Sequence, residues 1–244
     1  MTPKSLAIVT TVHPCAGTMQ AFLAAAAAWA ATQPGEVELI LVDDLGAGAE
    51  LAAQARPPLP GLRVLRDRQG IGQYRAMLHG IAQVQGKCVV TLDPDMAGNL
   101  ADIEQLLARH AQGYELVLTW RVQRHDTPWP RRLASQLLNR LTRSIAGIPL
   151  HDINSPMRLF SPAAAQALLE MQEDHETFSL QMYRRFADRV AEVAIHVAAP
   201  AHTRKSSYRP VLLLGLFLRQ LRAAWQFRRH GAAGGDSERS AART

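Results

Sequence analysis

Short apolar runs of strand length alternate with longer amphipathic stretches through the first half of this 244-residue chain. Leu6 to Thr10 is a β-branched run of the kind that fills a buried strand. Val37 to Val42, Arg63 to Leu65, Lys87 to Leu92 and Glu115 to Thr119 repeat that pattern. Between them, Met19 to Thr32, Tyr74 to Val84 and Ala101 to Ala111 carry helical spacing, with Met77, Ile81 and Val84 on one stripe. Strands separated by helices of this length predict βαβ units and a mostly parallel α/β sheet flanked by helices.

The second half has a different pattern. Residues 121 to 130 read as a polar, Pro-containing loop. Arg131 to Ile145 predicts an amphipathic helix with Ala134, Leu137, Leu138, Leu141 and Ile145 on its apolar face. Helices follow over Ser161 to Met171 and Phe178 to Arg189, then a late strand over Val193 to Ala198. From Val211 to Phe227 an apolar run turns basic. Leu214, Phe217, Leu218, Leu221 and Trp225 fall opposite Arg219, Arg222, Gln226 and Arg229, the profile of a helix lying in a membrane interface. A helix packed on the protein's own core, or a dimer contact, has the same profile. The expected organisation is a domain over 1–209, an amphipathic helix over 210–230 and a disordered Gly/Ala/Ser-rich tail over 231–244.

Composition narrows this only modestly. Apolar residues make up 48% and charged residues 20%, ordinary for a globular domain. Lys and Arg number 27 against 21 Asp and Glu, a net charge of +6 that suits an anionic partner. Two cysteines, Cys15 and Cys88, give neither a disulfide framework nor a zinc cluster. The Ala-rich stretch from Ala21 to Ala31 has the look of a signal-peptide core, but a strand precedes it and only Lys4 supplies basic charge, so a folded helix is expected. No run reaches the roughly 18 to 20 apolar residues that span a bilayer.

Against that frame the carboxylates stand out. In parallel sheets ligands bind beyond the carboxyl ends of the strands. Asp43-Asp44 ends the second strand and Asp93-Pro94-Asp95 ends the fourth. Two carboxylates one residue apart can share one Mg²⁺ or Mn²⁺ with the phosphate oxygens of a ligand. Gly70-Ile71-Gly72 opens a helix and lets backbone approach a ligand; without the Lys and Ser/Thr of a P-loop it excludes an ATPase of that type. Asp152 to Arg158 gathers polar groups around a guanidinium, a phosphate-pairing chemistry. Taken singly, each has an ordinary reading: a turn for 93–95, a helix cap for 43–44, a salt bridge for 152–158.

Their order is more specific than any one of them. Leu41-Val42-Asp43-Asp44, the Gly loop, Ala76-Met77-x-x-Gly80-Ile81 to Gly86, then Thr91-Leu92-Asp93-Pro94-Asp95-Met96 resembles the nucleotide-sugar domain of family 2 glycosyltransferases, which have the GT-A fold. Arg121, Arg131-x-x-x-Ser135-x-x-x-Asn139, Asp152-x-x-Ser155-x-x-Arg158 and Arg204-Lys205-Ser206-Ser207-Tyr208 resemble the polyprenyl- and dolichyl-phosphate sugar synthase branch. The likeness covers residues 5 to 210. His13-Pro14-Cys15 stands where that family has Tyr-Asn-Glu, and Ala97 where a Gln often follows the acidic pair.

The resemblance implies an inverting glycosyltransferase with Mg²⁺ or Mn²⁺ as cofactor. It implies that Asp43, Asp44, Gly70, Gly72 and Asp93 bind the donor and that Asp93 and Asp95 hold the metal. Arg121 and Arg131 join the two aspartates as catalytic groups. Arg131, Ser135, Arg158, Arg204, Ser206 and Ser207 receive the acceptor phosphate. The partners expected are a nucleotide-sugar donor and a polyprenyl phosphate or other lipid acceptor, with no nucleic acid. The place expected is the cytoplasmic face of the inner membrane, reached through the C-terminal helix. A soluble family 2 enzyme acting on a saccharide, lipid or small metabolite would need a carboxylate base, for which Asp152, Glu173 and Asp174 are candidates. A non-catalytic nucleotide- or nucleic-acid-binding protein would need basic and aromatic residues interleaved on one face; aromatics are 6% of the chain, without such a cluster.

Overall fold

A computed structural model describes residues 5–46, 61–66, 70–122, 129–152, 155, 157–171, 178–197, 215, 218–219 and 221–229. Its strands are β1 (Ser5–Thr11), β2 (Glu36–Asp43), β3 (Leu62–Arg66), β4 (Cys88–Leu92), β5 (Leu116–Arg121), β6 (Met157–Phe160) and β7 (Val190–Ile195). The helices are α1 (Ala16–Ala30), α2 (Gln73–Ala82), α3 (Ile103–Ala111), α4 (Trp129–Ala146), α5 (Pro162–Met171) and α6 (Phe178–Phe186). A 3₁₀ segment, Pro94–Asp102, leads into α3, and residues 221–229 are helical.

The seven strands form one sheet in the order β3-β2-β1-β4-β6-β5-β7. Strands β3, β2, β1 and β4 run parallel, as do β5 and β7. Strand β6 is antiparallel to both of its neighbours, β4 and β5. The mostly parallel sheet flanked by helices is the architecture expected from the sequence. The antiparallel β6 was not: it has only four residues, and the first two, Met157 and Arg158, belong to the stretch that reads as a polar motif.

Strand periodicity splits the core into two layers. Ile8, Leu39, Leu41 and Val90 face the layer of α1, the 3₁₀ segment and α3. Val9, Ile40, Val42 and Val89 face the layer of α2, α5 and α6. Phe22, Leu23 and Ala26 of the Ala-rich stretch are buried in the first layer, so that stretch is a core helix. In the second layer α2 lies very close to the sheet. A Cβ on Gly80 would meet Val9 Cγ1 at 2.5 Å and Val42 Cγ2 at 2.8 Å, so a side chain there forces the helix away.

The helices of the second half differ from the sequence pattern. Helix α4 buries Thr142 and Ala146, while Leu133, Leu137 and Leu141 point outward. The expected apolar face is therefore split, with Leu138 and Ile145 half-buried and Leu137 and Leu141 exposed. Residues 221–229 bury Ala223, Ala224 and Phe227, and the last two join the second core layer. Arg184 Nη2 donates to the Phe227 carbonyl, with its guanidinium 4.0 Å from the Phe227 ring. Leu218 and Trp225 stay exposed, and so do Arg222 and Arg229.

Candidate functional site

The carboxyl ends of β2 and β4 flank that of β1, and the candidate carboxylates gather there. Asp43 is the last residue of β2 and is buried. Its Oδ1 accepts from the amides of Leu45 at 3.1 Å and Gly46 at 2.7 Å, a turn closed by a side chain at the strand end. Asp44 follows, also buried. His13 caps the exit of β1: its Nδ1 accepts from the Cys15 amide at 3.0 Å.

The Gly loop ties these carboxylates to those of β4. The Gly70 amide donates to the Asp44 carbonyl at 3.3 Å. Three residues on, the Gln73 side-chain amide donates to Asp93 Oδ1. Gly70 and Gly72 have φ of 77° and 88°, a region that favours glycine, so the chain turns sharply from one aspartate pair into α2. One short loop thus bridges 44 and 93. Gln73 was not singled out in the sequence; its only signal is its place at the start of the helix after Gly72.

Asp93 directly follows β4 and Asp95 lies exposed in the first turn of the 3₁₀ segment. Burial, with Asp95 as the second cause, pushes the Asp93 carboxyl up to about 6; Arg158, Arg121 and Gln73 pull the other way. Two mutually repelling carboxylates, one of them short of solvent, form an oxygen donor set that fits a divalent cation. Among the described residues no group of three or more His, Cys, Asp or Glu is placed to hold a metal; Mg²⁺-type sites commonly use one or two carboxylates, with substrate phosphates and water as the other ligands.

The basic half sits on β5 and β6. Arg158, on β6, pairs in register with Thr91 of β4 and Leu118 of β5. Burial pushes its guanidinium down to about 10, and Asp93, Asp152 and Tyr74 hold it charged. Arg121, the last residue of β5, forks onto Asp152 Oδ2 through Nε at 3.1 Å and Nη2 at 2.9 Å. Asn139 of α4 donates to Asp152 Oδ1 at 3.4 Å. The result is a chain of alternating charge, Asp93, Arg158, Asp152 and Arg121, with Asp95 beside its acidic end. The antiparallel β6 makes that chain possible by carrying Arg158 between the two parallel halves.

Ser155 has a structural task. Its Oγ accepts from the Thr119 amide at 2.7 Å and donates to the Met157 carbonyl at 2.6 Å, pinning β6 to β5. The side chains of Arg131 and Ser135, and all of Glu173, Asp174, Arg204, Ser206 and Ser207, lie outside the described residues. Glu192, which the sequence did not single out, anchors the turn that carries Asp152: its Oε1 accepts from the Asp152 amide at 3.2 Å.

Residues 7–189 match the family described as Glycosyl transferase family 2. An undecaprenyl-phosphate 4-deoxy-4-formamido-L-arabinose transferase of Pseudomonas aeruginosa (strain LESB58) is 34% identical over 183 residues, 73% of this chain and 53% of that protein. The protein of the same description from Enterobacter sp. (strain 638) is 32% identical over 167 residues, 67% of this chain and 50% of its own length. The chain spans about half the length of these curated relatives. Mannosyl-3-phosphoglycerate synthase from Rubrobacter xylanophilus superposes with a TM-score of 0.64 at 14% identity, covering 93% of this chain and 75% of that one. Glucosyl-3-phosphoglycerate synthase from Mycobacterium tuberculosis, solved with Mn²⁺, UDP and glucosyl-3-phosphoglycerate, superposes at 0.57 and 20% identity, covering 92% and 80%. At these identities the structural likeness shows the fold alone.

Proposed function

Because the chain belongs to glycosyl transferase family 2, we propose that it moves a sugar, with inversion, from a nucleotide-diphosphate donor to a polyprenyl phosphate at a membrane surface. One observation carries this reading: Asp93, just past the end of β4, and Arg158, on the neighbouring β6, lie close enough for each charge to act on the other, so an acidic cation-binding rim abuts a basic phosphate-binding one. The curated relatives named for undecaprenyl phosphate support the acceptor class.

In this reading Asp43 and Asp44 accept hydrogen bonds from the nucleoside, while Gly70 and Gly72 let backbone approach it. Asp93 and Asp95 hold Mg²⁺ or Mn²⁺ together with the donor diphosphate. Bound there, the cation neutralises charge on the departing nucleoside diphosphate. Arg158 and Arg121 orient the acceptor phosphate, with Arg131, Ser135, Arg204, Ser206 and Ser207 assigned to the same task. Arg121 commits Nε and Nη2 to Asp152, and Nη1 takes no part in that fork. The acceptor is already an anion and needs no base to attack, so positioning carries the rate. The state of Asp152 supports a phosphate over a sugar hydroxyl. Its carboxylate is occupied by Arg121 and Asn139 and is poorly placed to act as a general base.

The surface supports peripheral membrane contact. Among the described residues no helix is long and apolar enough to cross a membrane. Exposed Leu133, Leu137 and Leu141 share α4 with exposed Arg140, and exposed Leu218 and Trp225 share the C-terminal stretch with exposed Arg222 and Arg229. Apolar residues interleaved with Arg on outward faces match a helix surface that enters a lipid headgroup layer.

A transfer assay tests the proposal. UDP- and GDP-sugars carrying a radiolabel are incubated with polyprenyl phosphate in detergent, with Mn²⁺ or Mg²⁺. Cation-dependent label in the lipid phase is expected. Transfer only to saccharide or small-metabolite acceptors would overturn the acceptor class.

A further inference from the structure

The loop that presents Asp152 is held from outside the site by one carboxylate. Glu192 lies on β7, opposite Leu118 of β5. Its Oε1 and Oε2 each accept from the His151 amide at 2.8 Å. Oε1 also accepts from the Asp152 amide at 3.2 Å, and Oε2 meets His151 Nδ1 at 2.9 Å. The imidazole in turn stacks on Trp120 of β5, with ring centroids 4.8 Å apart. His151 thus bridges β5 and the edge strand β7, and the backbone of 151–152 hangs from one side chain.

Two residues of this cluster then bear on the site. Trp120 immediately precedes Arg121, and Asp152 immediately follows His151. The Asp152 carboxylate is 5% exposed and receives the Arg121 fork on Oδ2. We propose that Glu192 is a positioning residue: by holding the amides of 151 and 152 it aims the Asp152 carboxylate, and through it Arg121, at the acceptor phosphate. The inference rests on the function proposed above for what Arg121 binds, but not for the clamp itself.

A carboxylate is required by the arithmetic of acceptors. Two backbone amides and an imidazole nitrogen converge on Glu192, and two ionised oxygens can serve all of them. Glu192→Gln replaces one of those oxygens with a donor. One partner is then lost and a donor faces an N–H. The turn relaxes, Asp152 swings, and the Arg121 fork opens. The strands stay paired, so the fold remains.

The test reads Arg121 directly and through turnover. In wild-type protein the Arg121 Nε–H NMR cross-peak, assigned by its loss in Arg121→Lys, is expected at a hydrogen-bonded position. Glu192→Gln is expected to move it to the position seen in Asp152→Asn, with the melting temperature within a few degrees of wild type. Turnover is expected to fall about tenfold to a hundredfold in kcat, with donor KM nearly unchanged. In the Asp152→Asn background the same substitution is expected to add no further loss, because both act through one carboxylate. An unmoved Arg121 peak, or losses that multiply, would overturn the proposal. If Glu192→Gln does not fold, hydrogen exchange in the wild type decides: protected amides at 151 and 152 support the clamp, and rapid exchange at both overturns it. A wild type that glycosylates no lipid phosphate sinks the proposed function, while the Arg121 peak still rules on Glu192.

Discussion

The two halves of the sheet meet the site in opposite ways. On the β3-β2-β1-β4 side, parallel strands run out at one edge, and each functional carboxylate marks the end of its own strand: Asp43 as the last residue of β2, Asp93 just after β4. On the β6-β5-β7 side, the functional groups are held by one another. Arg121 is gripped by Asp152, Asp152 by Asn139 and the Glu192-bound turn, and Arg158 by charges from both halves. The acidic half owes its geometry to backbone topology; the basic half owes it to a side-chain lattice. Point substitutions should therefore act locally in the first and spread in the second.

The largest effect is expected at the acidic rim. Asp95→Asn should lower kcat by about a thousandfold, the scale of losing a principal electrostatic stabiliser, with little change in melting temperature. Asp93→Asn should lose as much activity yet stabilise the ligand-free protein at pH 7. Its folded carboxyl sits at about 6, above the ordinary carboxylate value. The stability that this group confers is complete at low pH, below its unfolded value, and is lost as pH rises through about 6. Removing the charge should recover about 1 to 2 kcal/mol, read by thermal melts at pH 5 and pH 7.

The basic half should respond differently. Arg158→Leu is expected to lower kcat by about a hundredfold and stability by about 2 to 3 kcal/mol, because Asp93 and Asp152 lose a shared counter-charge. Such a loss should couple to substitutions at both 93 and 152. Additive effects there would show that the two halves do not communicate through β6. pH provides a milder probe of the same link. Cation affinity should fall by about tenfold per unit below about pH 6 as Asp93 takes up its proton, and the fall should begin at higher pH in Arg158→Leu. Smallest for chemistry is Gly80→Ala, where the added methyl meets Val9 and Val42. About 1 to 3 kcal/mol of stability should go, with kcat in surviving protein unchanged.

The same contrast explains what the amino-acid sequence reveals. Asp43 and Asp93 were legible because an apolar run of strand length stops at each, and a strand's end is a local property. Gly70 and Gly72 were legible because a left-handed backbone favours one residue type. Strand β6 was not, since four residues that overlap the end of a polar motif carry no period of their own. Glu192 was not, because its partners are backbone amides 40 and 41 residues away, and an amide leaves no mark in a sequence. Helix α4 was half legible. Its apolar positions are spaced for a helix, yet the buried face is set by Thr142 and Ala146, small enough to approach the core, which leaves Leu137 and Leu141 outside.

The central claim is that Asp93 and Asp95 hold a divalent cation jointly with a nucleoside diphosphate. Titration calorimetry of UDP and GDP, each with and without Mn²⁺, addresses it most directly. Affinity for one of the two should rise at least about tenfold with Mn²⁺ and lose that gain in Asp95→Asn. Nucleotide affinity indifferent to the cation, or a gain that survives Asp95→Asn, would contradict it.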